Sequence, residues 1–282
     1  MYYPNSLKHF LHFLTQSIII RITFAKTALV IRREEPKMDS NSPTTYKEVS
    51  NYYDAEWASL EKQKLTGINS RHRFIMKFLM ENGLKANHNV LEIGCGIGTL
   101  SSYLATKLKK GKLTGVDISP ETIQQNKVRY KNFNNIEFLV SDMTDFSIDK
   151  KFDVIIFPDV LEHIPIEAHD NIFKTISTLI KPEGFVFINI PSPHGLEYLH
   201  IHHKELLQII DQPIHTNILL DNVYRHGFYI ETLKTYSVFY VEPDYQMMVL
   251  KVNKPYPNMT VKPKSKVLLN SIKMRINEFF NY

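Results

Sequence analysis

The stretch Asn89–Val90–Leu91–Glu92–Ile93–Gly94–Cys95–Gly96–Ile97–Gly98–Thr99 decides the reading of this chain. Val90, Leu91 and Ile93 make an apolar, partly β-branched run of strand length. Gly94, Gly96 and Gly98 then allow a sharp turn and let a ligand come close to the backbone. A helix over roughly Thr99–Lys109 is expected next, with its N-terminal N–H groups aimed at that ligand. Strand, glycine turn and helix in this order hold a nucleotide or nucleoside-like cofactor at the carboxyl end of a parallel sheet. The dinucleotide fingerprint places glycines first, third and sixth. Here they fall first, third and fifth, with Thr99 in sixth place and Glu92 just ahead.

Working outward, Lys112–Asp117 reads as a second strand ending in an acid. Asp117 lies about 20 residues beyond the glycines, where a carboxylate reaches ribose hydroxyls, and Ile118 follows at the position of an adenine face. Ser119 and Pro120 start a helix, as N-cap and first helical residue, that runs to about Lys131. Ile136–Val140 is a third strand leading into Ser141–Asp142–Met143, and Phe152–Phe157 is a fourth leading into Pro158–Asp159–Val160–Leu161–Glu162–His163–Ile164–Pro165. A helix near Ala168–Ile180, a Lys181–Pro182–Glu183–Gly184 turn and a fifth strand, Phe185–Ile190, complete the alternation.

This ordered set resembles the class I S-adenosylmethionine-dependent methyltransferases, whose first motif is E/D-x-G-x-G-x-G, over roughly Tyr46–Val252. Within them it is similar to the small-molecule O-methyltransferases of the ubiquinone-biosynthesis type. The resemblance implies an α/β, Rossmann-like seven-stranded sheet. Its strands are mostly parallel, an antiparallel last strand lies between the fifth and sixth, and helices cover both faces. It implies S-adenosyl-L-methionine as cofactor, bound by Glu92, Gly94, Cys95, Gly96, Gly98, Asp117, Ile118, Asp142, Met143 and Pro158. A methyl group on a sulfonium is already activated, so the enzyme must align an acceptor and, for a hydroxyl, remove its proton.

Two imidazoles are candidates for that proton. His194 stands in a proline-stiffened loop, Pro191–Ser192–Pro193–His194, after the fifth strand, on the acceptor side. His163 follows the fourth strand, either as a base or as a residue that packs at a helix start. Asp159, Glu162 and His163 resemble the E-x-x-E-H of the ubiquinone-type enzymes, whose acids can hold a divalent metal. The first Glu is Asp here, so no metal is assigned. His200, His202 and His203 open an expected helix, His203–Ile210, and read as a solvated or substrate-lining face.

Before the glycine motif, Tyr46–Asp54 and Glu56–Asn82 read as a helical cover, with Tyr52, Tyr53 and Trp57 serving as core or as a lid over the cofactor. Arg71, His72 and Arg73 are placed to meet a methionine carboxylate or to form a solvated basic face. The domain plan is an extension over 1–37, disordered or a mis-assigned start with the natural one at Met38, then the cover over 38–85. The methyltransferase domain spans 86–252, with an acceptor insert near 194–221 and a closing hairpin of Phe228–Tyr240 and Tyr245–Val252. A basic tail occupies 253–282, where Val267–Phe280 forms an amphipathic helix that either packs back on the domain or contacts a membrane surface.

Composition bounds the partners. The chain has 34 basic and 29 acidic residues, and its first 33 residues hold five of the basic ones and no acid. The remainder is formally neutral, so no nucleic-acid footprint is indicated. A lone cysteine, Cys95, forms no internal disulfide and suits the cytoplasm; between two glycines it reads as space-filling. The leading expectation is methyl transfer to a small molecule at oxygen. Transfer at nitrogen or carbon, or a non-catalytic module keeping the fold, stand as alternatives.

Overall fold

The computed structural model describes residues 47–52, 54, 67–143, 146–256 and 258–280. The expectations for 1–46, and for Tyr53 and Trp57, fall outside the described residues. Residues 47–52 are helical, in accord with the first cover helix. The second is shorter than expected. Gly67–Asn69 are not helical, and α1 begins at Ser70 and runs to Glu81. The reason is a reciprocal cap: Asn69 Oδ1 accepts from His72 N, and His72 Nδ1 accepts from Asn69 N, both at 3.1 Å.

Seven strands form one sheet in the order β3-β2-β1-β4-β5-β7-β6. They are β1 (Asn89–Ile93), β2 (Lys112–Asp117), β3 (Ile136–Val140), β4 (Phe152–Pro158), β5 (Ile180–Pro191), β6 (Phe228–Tyr236) and β7 (Tyr245–Val252). β7 alone runs against its neighbours, between β5 and β6. The period-two alternation of the strands sorts their apolar side chains into two cores. Leu91, Ile155, Val186 and Met248 meet α4 (Ile166–Leu179) and α6 (Thr216–Arg225) on one face. Val90, Val154, Phe187 and Val249 meet α1 and α2 (Thr99–Ala105) on the other. Strands buried on both faces are why β1, β4 and β5 read as near-continuous apolar runs.

Helix α3 (Pro120–Arg129) starts as expected, with Ser119 Oγ accepting from Thr122 N at 3.0 Å. α2 stops at Ala105, short of Lys109. The larger correction concerns the insert. The loop expected to carry His194 is the start of a helix, α5 (Pro193–His202). Ser192 Oγ accepts from Gly195 N at 3.1 Å and Pro193 takes the first helical position, the same device as Ser119–Pro120. The expected helix His203–Ile210 is instead a single 3-10 turn, Lys204–Leu206, followed by irregular chain, because α5 ends there. α6, which begins inside the insert and runs on to Arg225, was not anticipated. Beyond β7, α7 spans Lys264–Phe280. Among the described residues no helix is long and apolar enough to cross a membrane.

Candidate cofactor and acceptor site

A cavity of about 500 Å³ opens at the carboxyl ends of β1, β2 and β4, a volume suited to a cofactor-sized ligand. Of the residues expected to bind cofactor, Glu92, Gly94, Cys95, Gly96, Asp117, Ile118, Asp142, Met143 and Pro158 line it. Gly98 does not; it lies behind the turn, where a Cβ would strike the Tyr130 ring. Gly94, at φ +69°, is likewise closed off by the Val160 side chain. Gly96 is different: a Cβ built there meets no atom within 4 Å, so the backbone is bare toward the cavity. That open cradle fits a ligand lying against the main chain.

The turn is pinned from several sides. Cys95 N donates to Val116 O at 2.9 Å, Asn126 Nδ2 donates to Gly96 O at 2.6 Å, and Tyr130 OH donates to Ile97 O at 3.0 Å. Asp117 Oδ2 accepts from Gly96 N at 2.8 Å and Oδ1 accepts from Ser119 N at 3.0 Å. A carboxylate accepts about four hydrogen bonds, so capacity for ribose hydroxyls remains. Burial pushes the Asp117 carboxyl up, against the pull of the Ser119 and Gly96 amides. Glu92 is more deeply buried. Burial lifts it to about 8, opposed by Ser101, whose Oγ donates to Glu92 Oε2 at 2.6 Å. Burial also raises the Cys95 thiol well above its ordinary range, which makes it inert rather than reactive.

The opposite wall carries Arg71 and Asp159, held from behind by buried side chains remote in sequence. Asp159 has a left-handed backbone, φ +58°, that turns its carboxylate inward. Arg71 Nη1 lies 2.7 Å from Asp159 Oδ2, and Asn189 Nδ2 donates to Asp159 Oδ1 at 2.8 Å. Tyr236 OH donates in turn to Asn189 Oδ1 at 2.5 Å, and Tyr245 hydrogen-bonds Arg71. Burial raises Asp159 despite Arg71, and Arg71 keeps its charge because Asp159 and Tyr245 outweigh its own desolvation. His72 lines the same wall as a neutral imidazole, lowered to about 4 by burial and by Arg71. Arg73 does not reach the cavity.

His163 lines the cavity and His194 does not. The His163 Nδ1 lies 2.6 Å from Ile210 O and 3.2 Å from Asp211 Oδ1, with Nε2 3.9 Å from Glu162 Oε1. Burial works against a charged His163, but Glu162, Asp211 and the Ile210 carbonyl hold the proton and lift it to about 9. Glu162 is buried with neither oxygen accepting a hydrogen bond among the described residues, and burial raises its pKa. The His194 side chain is 91% exposed and, among the described residues, meets Glu197 and the His215 ring. The Ser192–Pro193 cap launches α5 and carries His194 outward. His200 ties to Asp211 O at 2.5 Å, His202 lies against Tyr198, and His203 pairs with Glu205, all away from the cavity. Among the described residues no group of His, Cys, Asp and Glu is arranged to hold a metal ion; Arg71 occupies the Asp159 carboxylate instead.

Comparison with known proteins agrees with this geometry. A family model described as "Methyltransferase domain" matches residues 84–225, half of the chain. (S)-Coclaurine N-methyltransferase of Papaver somniferum is 26% identical over 163 residues, 57% of this chain and 41% of that enzyme. Malonyl-[acyl-carrier protein] O-methyltransferase 1 of Ilyobacter polytropus is 32% identical over 74 residues, 26% of this chain and 28% of that enzyme. The chain thus spans less than half the length of these curated relatives. Magnesium protoporphyrin IX methyltransferase from Synechocystis, solved with bound SAH, shares the fold at TM-score 0.58 and 18% identity, over 74% of this chain and 100% of that one.

Proposed function

This chain belongs to the methyltransferase-domain family and is a class I S-adenosylmethionine-dependent enzyme; from that premise we propose that it methylates a small molecule at a hydroxyl oxygen, with His163 receiving the acceptor's proton. The observation that carries this reading is the placement of His163 on the cavity wall, tethered through Nδ1 to Ile210 and Asp211. A base raised to about 9 suits an acceptor of the phenol type, whose hydroxyl titrates near about 10. When bound, the cofactor supplies a methyl group that needs no further activation. The chain's own work is alignment and proton removal.

In this reading Asp117 takes the ribose hydroxyls, Ile118, Asp142 and Met143 border the adenine, and the Gly94–Gly98 turn, Glu92 and Pro158 border the methionine side. Arg71 offers its cation to the methionine carboxylate from the far wall. The insert, residues 194–221, frames the acceptor through Ile210 and Asp211, and Gln208 lines the cavity. A reducing compartment, the cytoplasm, suits the lone buried thiol.

An amine acceptor is the second reading, favoured by the N-methyltransferase among the relatives and by the similar pKa of an alkylammonium, about 10.4. Methyl-labelled cofactor, the purified chain and a panel of phenols and amines separate the two, with mass spectrometry locating the label. We expect phenol methylation that His163→Ala suppresses while calorimetric cofactor affinity holds. Full turnover in His163→Ala would remove His163 from the chemistry, and no cofactor binding would remove the whole reading.

A further inference from the structure

We infer that α7 is a docking device for an anionic membrane surface. At 100° per residue, Leu268, Ile272, Ile276 and Leu269 fall within a stripe of ~100° along the helix. These side chains are exposed: they are 62%, 46%, 49% and 63% accessible. Every described residue from Asn258 to Phe279 is exposed. Soluble domains rarely leave such a stripe open without a use for it.

The charges select the occupant. Lys264 and Arg275 border one edge of the stripe, Lys266 and Lys273 the other, and Glu278 is the helix's only acid. Cations at both edges of an apolar face snorkel to lipid phosphates while the apolar side chains enter the boundary of the acyl region. The same charges repel a second copy of this helix across the face. The body does not share this bias: residues 34–252 hold 23 basic and 28 acidic side chains, whereas residues 253–282 hold six basic and one acidic. Residues 1–33 carry the other basic excess, five basic side chains and no acidic one, so the cationic excess lies in the two end segments and α7 is the one that pairs it with an exposed apolar stripe among the described residues. The irregular, exposed stretch before α7, which includes Lys254, Lys262 and two of the chain's prolines at Pro255 and Pro263, tethers the helix and adds cations.

Flotation of the full chain with vesicles tests this. We expect partition onto phosphatidylcholine–phosphatidylserine vesicles ~tenfold or more tighter than onto phosphatidylcholine alone, weakening as salt rises. Leu269→Glu with Ile272→Glu should abolish it, and Lys266→Glu with Lys273→Glu should erase the preference for anionic lipid. Both variants should keep cofactor affinity, which reports an intact domain. The inference fails if wild type ignores anionic vesicles at low salt, if both lipid mixtures bind it equally, or if the Leu269→Glu, Ile272→Glu protein still floats. A dimer that this double change dissolves, without vesicle binding by the wild type, would overturn it in favour of a second copy.

Discussion

The two walls of the cavity are built by opposite strategies. The wall at Gly94–Gly98 is main chain, shaped by glycine and held by Asp117, Asn126 and Tyr130, all within about 35 residues of the turn. The facing wall is side chain: Arg71 and Asp159 line it, and Asn189, Tyr236 and Tyr245 hold them from behind, the five coming from five separate elements or their edges. A main-chain wall suits a ligand that never changes, because backbone amides are common to every sequence. A side-chain wall can be re-specified one residue at a time. The difference teaches which part of the cavity is set by local main-chain geometry and which by side chains that only the assembled sheet brings together.

The sharpest test of this division is His163→Ala. Turnover should fall about 10²–10⁴-fold with cofactor affinity near wild type, since the imidazole belongs to the facing wall. Comparable loss of cofactor binding, measured by calorimetry, would show that the walls are not separable. The pH profile gives a finer reading. With His163 raised to about 9, kcat/KM should climb as pH approaches 9, because the base must shed its own proton first. Asp211→Asn removes a charge that favours the imidazolium, so its profile should move to lower pH.

Next in size is the Arg71–Asp159 pair, Asp159 buried and Arg71 partly exposed. Asp159→Ala leaves Arg71 without its carboxylate and should cost about 1–3 kcal/mol of stability, read from urea unfolding. Arg71→Met with Asp159→Leu should cost clearly less than the single change, because neither charge is then stranded. An additive cycle would mean that the two side chains act independently. On the other wall, Asp117→Ala should weaken cofactor binding by about 1–3 kcal/mol through lost charge-assisted hydrogen bonds.

The smallest effects concern Glu92 and His194. The Glu92 carboxyl sits near 8 when folded, above its ordinary value of 4.5, so its contribution to stability is full below about 4.5 and is lost as pH rises through 8. Melting temperatures of Glu92→Gln should therefore gain on wild type between pH 5 and 8. A constant difference would mean that Glu92 titrates normally. His194→Ala should change turnover less than about twofold, because an exposed side chain outside the cavity touches neither reactant. A large loss there would return His194 to the chemistry and unseat His163.

Legibility followed the same division. The β1 turn, Asp117, the Ser119 cap and the strand order come from short-range pattern and a recognisable motif, and nine of the ten expected cofactor residues line the cavity. The side-chain wall and its backing were harder. Asn189, Tyr236 and Tyr245 carry no local signature, since their partnership exists only once β7 inserts between β5 and β6. Asp211 and Ile210 lie in irregular chain whose position is fixed by Gln212 N donating to Glu162 O at 2.9 Å, a contact no periodicity announces. The α5 start is another matter. Ser192–Pro193 repeats the Ser119–Pro120 signal, and reading it as a stiff loop put His194 in the wrong place.

The reversal of β7 has an evolutionary side. In a purely parallel sheet every connection arriving at the ligand edge leads away into a helix, and lengthening it disturbs the packing of that helix. Here β6 ends and β7 begins at that edge, with Tyr236 paired to Tyr245 and the short turn between them exposed over most of its length. Residues can be added to or removed from that turn while both strands keep their register and the core beneath stays full. The fold thus carries an adjustable rim at the ligand edge of the sheet, one that selection or design can lengthen while the Gly94–Gly98 turn stays as it is.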